Sequence, residues 1–249
     1  MALRFNKMAI IQEIQTAKAQ SRKLLVLLID PEKQDSMEAL RSYLALPDMI
    51  FVGGSTGNLA DSCIADLRKF TECPIVLFPG NISQFSPKAD ALLFLSVLNA
   101  KTADMLITPH IEVAKRVIDS GIESIAMGYI LIDGGRKSSV EIVSNCVPIS
   151  QDAVDHVVAT ALAGQLLGKQ LIYLEAGSGA KNSVSIEIIR AVSEQLRVPL
   201  IVGGGICTPE AMIAVYEAGA DIVVIGNHFE QHPDEISDFI RIKREKYGK

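Results

Sequence analysis

Eight short apolar runs recur along the chain, each ending in small or polar residues, and most lead into a stretch of helical period. They are Leu24–Ile29, Met49–Val52, Pro74–Leu77, Ala91–Leu95, Ser124–Ile132, the run opening at Leu171, Leu200–Val202 and Ile222–Ile225. An apolar run without polar alternation is a strand covered on both faces, the condition of a parallel sheet with helices packed on it. Eightfold alternation of strand and helix predicts an α/β chain folded as one (β/α)8 TIM barrel domain over residues 1–249, close to the roughly 250 residues such a barrel takes. The runner-up is a doubly wound open sheet. It would want GxGxxG after the first strand, which is missing, and only a closed barrel brings the polar ends of strands one, two, six, seven and eight to one mouth.

Two connections depart from the regular pattern. Phe78 to Ser86 is too rich in Pro, Gly and Ser for a packing helix, so the barrel should be modified at its third helical element and left open on that flank. After the fifth strand, Asp133–Ser139 reads as a polar loop, and the weak alternation of Val140–Ile149 reads as a small extra strand. Ahead of the first strand, Ile10, Ile11, Ile14 and Ala17 share one helical face over residues 7–20, a helix suited to covering the bottom of the barrel.

Composition excludes several classes. A net charge of −5 and a pI near 5.4 give no footprint for nucleic acid, and the basic RIKREKYGK stretch reads as a solvated helix end. Cys63, Cys73, Cys146 and Cys207 lack CxxC spacing, so neither zinc nor a disulfide framework is expected. His110, His156, His228 and His232 likewise show no ligand spacing. No apolar run approaches the length of about 18 residues that a membrane span needs, and the N-terminus lacks a signal-peptide core. The expected location is cytoplasmic.

Chemistry concentrates at strand ends. LIYLEAGSGAKN from Leu171, LIVGGGICTPEA from Leu200 and IVVIGNHFEQ from Ile222 each break into glycine at the same level. Loops of this kind after late barrel strands offer free backbone N–H groups to an anion. Asp30 stands at the end of strand one and Ser55-Thr56 after strand two, hard oxygen donors that suit Mg²⁺ with water and substrate phosphate completing its shell. Glu175, between the two halves, is placed to act as a base. On the bland alternative, Asp30 is a turn former ahead of Pro31.

The combination LLIDPEK, FVGGSTGN, SVLNA, IYLEAGSGA, IVGGGICTPE and IVVIGNHF resembles the geranylgeranylglyceryl phosphate synthase family, which includes the PcrB-like prenyltransferases; the length is similar to its larger archaeal and Bacteroidetes-type group. The resemblance implies transfer of a prenyl group, from geranylgeranyl diphosphate in the expected case, to sn-glycerol 1-phosphate, giving an ether-linked lipid precursor. It places Mg²⁺ on Asp30 and Ser55. It assigns the glycerol phosphate to Tyr173, Leu174, Glu175, Ala176, Gly177, Ser178 and Gly179, with Gly204, Gly205, Gly226 and Asn227, and makes Glu175 the catalytic base. A homo-oligomer, dimer or hexamer, and transient membrane contact for product release are implied too. Competing readings are another phosphate-binding barrel, such as a sugar-phosphate isomerase or lyase, and a non-catalytic prenyl-lipid-binding barrel.

Overall fold

Inward and outward side chains alternate along every strand, and this alternation builds two apolar layers. The computed structural model describes residues 8–33, 38–54, 57–144 and 146–248. Strands β1 (Leu24–Ile29), β2 (Met49–Val52), β3 (Ile75–Leu77), β4 (Ala91–Val97), β5 (Glu123–Leu131), β6 (Leu171–Glu175), β7 (Leu200–Gly203) and β8 (Ile222–Ile225) pair in parallel, in chain order, as a closed barrel. The seam is β1 on β8, with Leu24 opposite Ile222 and Leu27 opposite Ile225. The (β/α)8 expectation is therefore met, and the open sheet is excluded.

Leu24, Val26, Met49, Phe51, Leu171, Tyr173, Ile222 and Val224 fill the inside of the barrel. Leu25, Leu27, Ile50, Ile172 and Leu174 belong to the outer layer under the helices. Helix α1 (Ile10–Ala19) closes the bottom, its Ile10, Ile14 and Ala17 joining the inner layer. Its first turn is anchored by Glu123 at the start of β5, which accepts the Ile10 and Ile11 N–H groups at 2.7 and 2.8 Å.

The outer helices are α2 (Ala60–Leu67), α3 (Thr108–Ser120), α4 (Ser139–Ser144), α5 (Val154–Leu166), α6 (Ile186–Ser193), α7 (Pro209–Glu217), the short α8 (Asn227–Gln231) and α9 (Ile236–Tyr247). Cap chemistry fixes two of their starts: Ser185 accepts from the Ile188 N–H, and Thr208, followed by Pro209, accepts from that of Ala211. Helix α5 begins without such a cap. The Ser150 hydroxyl instead accepts the Asp152 N–H at 3.3 Å, ahead of the helix.

Between β3 and β4 there is no α-helix, only the 3₁₀ turn Ile82–Gln84. Gln84, 1% exposed, holds it in place, accepting from the Gly80 N–H at 2.8 Å and donating to the Gly54 carbonyl at 3.1 Å. The expected extra strand after β5 is a correction. Residues 139–144 are helical, begun by the Ser138 hydroxyl accepting the Glu141 N–H at 3.1 Å, and Ile149 forms a single bridge to Ile132. The S-x-x-E spacing of a helix start outweighs the weak alternation of Val140–Ile149. No helix among the described residues is long and apolar enough to cross a membrane.

Candidate functional site

A cleft of about 300 Å³ opens at the C-terminal mouth, with Asp30, Gly54, Phe78, Tyr129, Tyr173, Glu175, Ser178, Gly179, Gly204, Gly205, Gly226 and Asn227 in its wall. The residues of this wall that lie in strands follow from strand geometry: in the β6 sequence, alternation turns Tyr173 and Glu175 inward and Leu174 outward. Leu174 and Ala176 bury their side chains in the outer layer. A ligand could meet them only through the main chain, and the Ala176 N–H already donates to the Gly203 carbonyl at 3.0 Å.

Glu175 is 8% exposed, and its Oε1 accepts the Gly177 N–H at 2.7 Å. Burial pushes its carboxyl above the ordinary range, against the opposing pull of the adjacent Tyr173 hydroxyl and of Gly177. The Tyr173 phenol is driven well up by its own burial and then by the Glu175 charge. Its hydroxyl lies beside Glu175 but makes no hydrogen bond of good geometry to any described residue, and it faces the cleft. Phe78 stacks on Tyr173 at 5.6 Å between centroids and Tyr129 meets it edge-on at 5.4 Å. Sequence reading missed Phe78 and Tyr129. Tyr129 was within reach, because β5 pairs it directly with Tyr173.

The glycines of β7 make room for this pair. A Cβ on Gly203 would lie 2.2 Å from the Tyr173 hydroxyl, and one on Gly204, which has φ of 84°, would lie 2.5 Å from Glu175 Oε1. Any side chain there would displace the carboxylate or strain the backbone.

Across the cleft, Asp30 leaves the end of β1 with its Oδ1 accepting the Glu32 N–H at 3.1 Å. A Cβ on Gly54 would stand 2.6 Å from that oxygen, so the glycine after β2 leaves the carboxylate open toward the cleft. Ser55, its expected companion, lies outside the described residues. Lys33, which sequence reading did not single out, lines the same cleft from the turn after β1. Its ammonium donates to Asn227 Oδ1 at 2.8 Å and Glu230 Oε2 at 2.6 Å, bridging the β1–β8 seam. Its signal in the sequence is its place three residues after Asp30. Cys207 also lines the cleft, with its thiol pushed up by partial burial and then by Glu235.

A second, apolar groove of about 80 Å³ runs beside β4 and shares Pro79, Gly80, Leu95 and Val97 with the cleft. Phe85, Leu93, Phe94 and Val113 line it further out. His110 lies in its wall, edge-on to Phe94 at 4.3 Å, with burial holding its imidazole below the usual range. This is the flank left bare by the short β3–β4 connection. The site thus joins a buried carboxyl, an anion-suited ring of glycine loops, a hard oxygen donor and an apolar channel.

Known proteins resemble this chain in sequence and in architecture. The geranylgeranylglyceryl phosphate synthase of Zunongwangia profunda is 44% identical over 226 residues, 89% of this chain and 97% of that protein. That of Flavobacterium johnsoniae is 43% identical over 225 residues, 88% and 93% of the two chains. The crystal structure of (S)-3-O-geranylgeranylglyceryl phosphate synthase from Thermoplasma acidophilum, in complex with its substrate sn-glycerol-1-phosphate, superposes with a TM-score of 0.87 at 32% identity, covering 97% of this chain and 99% of that one. The model of the PcrB family matches residues 17–243. The chain therefore belongs to the PcrB family.

Proposed function

We propose that this protein joins a prenyl diphosphate, geranylgeranyl diphosphate in the expected case, to the hydroxyl of sn-glycerol 1-phosphate, forming an ether and releasing diphosphate. The observation that carries this reading is Glu175, a buried carboxyl in the wall of a cleft that also holds the glycine loops and shares Pro79, Gly80, Leu95 and Val97 with the apolar groove. The glycerol phosphate lies against Ser178-Gly179, Gly204-Gly205 and Gly226-Asn227, held through main-chain N–H groups. The prenyl tail lies in the β4 groove, with its diphosphate toward Asp30.

The bond between the allylic carbon and its diphosphate oxygen breaks, and the glycerol hydroxyl oxygen forms the new carbon–oxygen bond. Its proton passes to a carboxylate oxygen of Glu175. Burial raises the proton affinity of that carboxylate, which improves the match to its task. Phe78, Tyr129 and Tyr173 exclude water from the side of the cleft where an allylic cation would be captured by it. Mg²⁺ fits the donor chemistry of Asp30, an open carboxylate in the cleft, with Ser55 as the second expected ligand. When bound, the cation would neutralise charge on the departing diphosphate.

A symmetric homo-oligomer agrees with the exposed Ile107, Ile111 and Ile118 along α3, an apolar stripe that wants cover. Transient contact with a membrane would let the lipid product leave. Incubating the protein with prenyl diphosphates of several lengths and with each glycerol phosphate enantiomer, followed by mass analysis of the product, tests the activity; absence of an ether product from every pair would overturn it. Chelator, or Asp30→Asn, should abolish most turnover while glycerol phosphate still binds in calorimetry. Undiminished turnover with chelator present would remove the metal from the proposal.

A further inference from the structure

The loop that follows β5 brings a guanidinium to the glycine loop of β6. Gly134 packs against that loop, its carbonyl accepting the Lys181 and Asn182 N–H groups at 3.0 and 3.1 Å. Asp133 Oδ1 takes the Gly135 N–H at 2.8 Å, and the Gln151 amide ties the Asp133 carbonyl to that of Ser183 at 2.8 and 3.1 Å. The loop is thus anchored at both of its flanks, and Arg136 projects from it. Arg136 is exposed and makes no hydrogen bond or ion pair with any described residue.

Its Nη1 stands 3.4 Å from the point a Cβ on Gly179 would occupy, and Asn227 Nδ2 stands 3.4 Å from the same point. The two donors are therefore no more than twice that distance apart, beside the cleft wall formed by Ser178 and Gly179. The Asn227 amide faces this way because its Oδ1 is engaged by Lys33, whose charge is balanced by Glu230. A cationic fork and an amide NH₂ converge on one place, and neither has an acceptor there among the described residues. An oxyanion with several acceptor atoms satisfies both, and a guanidinium suits phosphate because it can donate two parallel hydrogen bonds.

We propose that Arg136 is a substrate-binding residue that takes the phosphate of the glycerol phosphate over Gly179, opposite the carboxamide of Asn227. This rests on the reading of the glycine loops as the glycerol phosphate site. It makes Arg136 a determinant of affinity for the phosphate monoester and gives it no part in the chemistry at the allylic carbon.

The test uses the full chain and two ligands, sn-glycerol 1-phosphate and inorganic phosphate, titrated by calorimetry into the parent, Arg136→Gln and Arg136→Lys. Loss of one charge-assisted contact should weaken both ligands about 10- to 100-fold in the Gln variant. The Lys variant should recover part of this, keeping the charge without the fork. The deficit should shrink as salt is raised, because the group is exposed. In turnover, KM for glycerol phosphate should rise by the same factor, with kcat and KM for the prenyl diphosphate within about twofold of the parent, the pattern of lost uniform binding. Equal affinity of parent and Gln variant for both ligands overturns the proposal, as does a rise in both KM values together with a lower melting temperature. A parent that binds inorganic phosphate but not glycerol phosphate overturns the functional reading instead, and Arg136 then stands or falls on whether the Gln variant loses inorganic phosphate. A parent that binds neither overturns both.

Discussion

At the scale of single residues, Glu175 is the group whose function and stability pull in opposite directions. Burial makes its carboxyl bind a proton more tightly in the folded chain than in the unfolded one, so ionisation favours unfolding. That penalty is complete above the raised pKa and disappears below the ordinary carboxylate value of 4.5. Glu175→Gln should therefore melt higher than the parent at neutral pH, with the difference vanishing as the solution is acidified through that range. The same change should lower kcat by on the order of 10²- to 10⁴-fold, and the acidic limb of the parent's pH–rate profile should lie above the ordinary carboxylate range. A variant as fast as the parent would take Glu175 out of the mechanism. Tyr173 and Glu175 were legible in the sequence because a strand's period of two turns both inward once the run is recognised. Lys33 and Arg136 were not. Each reaches a glycine loop belonging to a different strand, and the path of a loop, which no periodicity encodes, sets that approach.

Among the elements, the β3–β4 connection decides what can bind. Its Pro, Gly and Ser content announced the missing helix, and the structure replaces that helix with one 3₁₀ turn pinned by Gln84. The groove so exposed should reward each added isoprene unit of a prenyl diphosphate with a few kcal/mol until its end is reached, at about 0.8 kcal/mol per buried methylene. Calorimetry with inert analogues from ten to twenty carbons measures this; equal affinity across the series would show that the tail lies elsewhere. Val113→Phe, at the outer wall of the groove, should shorten the preferred chain without changing binding of glycerol phosphate. Strand boundaries were readable within a residue or two, because unbroken apolar runs leave little choice of register. Residues 139–144 were misread because a single hydroxyl at Ser138, which satisfies an amide that would otherwise be bare, outweighs a weak pattern of side chains.

For the whole molecule, closure of the barrel depends on contacts between distant parts of the chain. Lys243 of α9 is 2% exposed and pairs with Asp48, 195 residues away, which also accepts the Leu25 N–H at 2.7 Å. Asp48→Asn would keep the contact to Leu25 and leave the ammonium buried without its counter-charge, at a cost of about 3 kcal/mol or more. For a chain of this size each kcal/mol lowers the melting temperature by about 2–4 °C, so a drop near 6–12 °C with unchanged turnover at 25 °C is expected in calorimetric melting. A shift of less than about 2 °C would mean that solvent reaches the pair. The seam of β1 on β8 also bears on how the protein is made. While the chain emerges from a ribosome, β1 can find β2 early, but its other edge must wait for Ile222–Ile225. Through most of synthesis a strand of leucine, valine and isoleucine therefore presents unpaired backbone groups, an invitation to pair with another nascent chain. Helix α1, made before that strand, packs Ile10, Ile14 and Ala17 into the same inner layer as Leu24 and Val26, which covers side chains of the strand and leaves its backbone edge to β8.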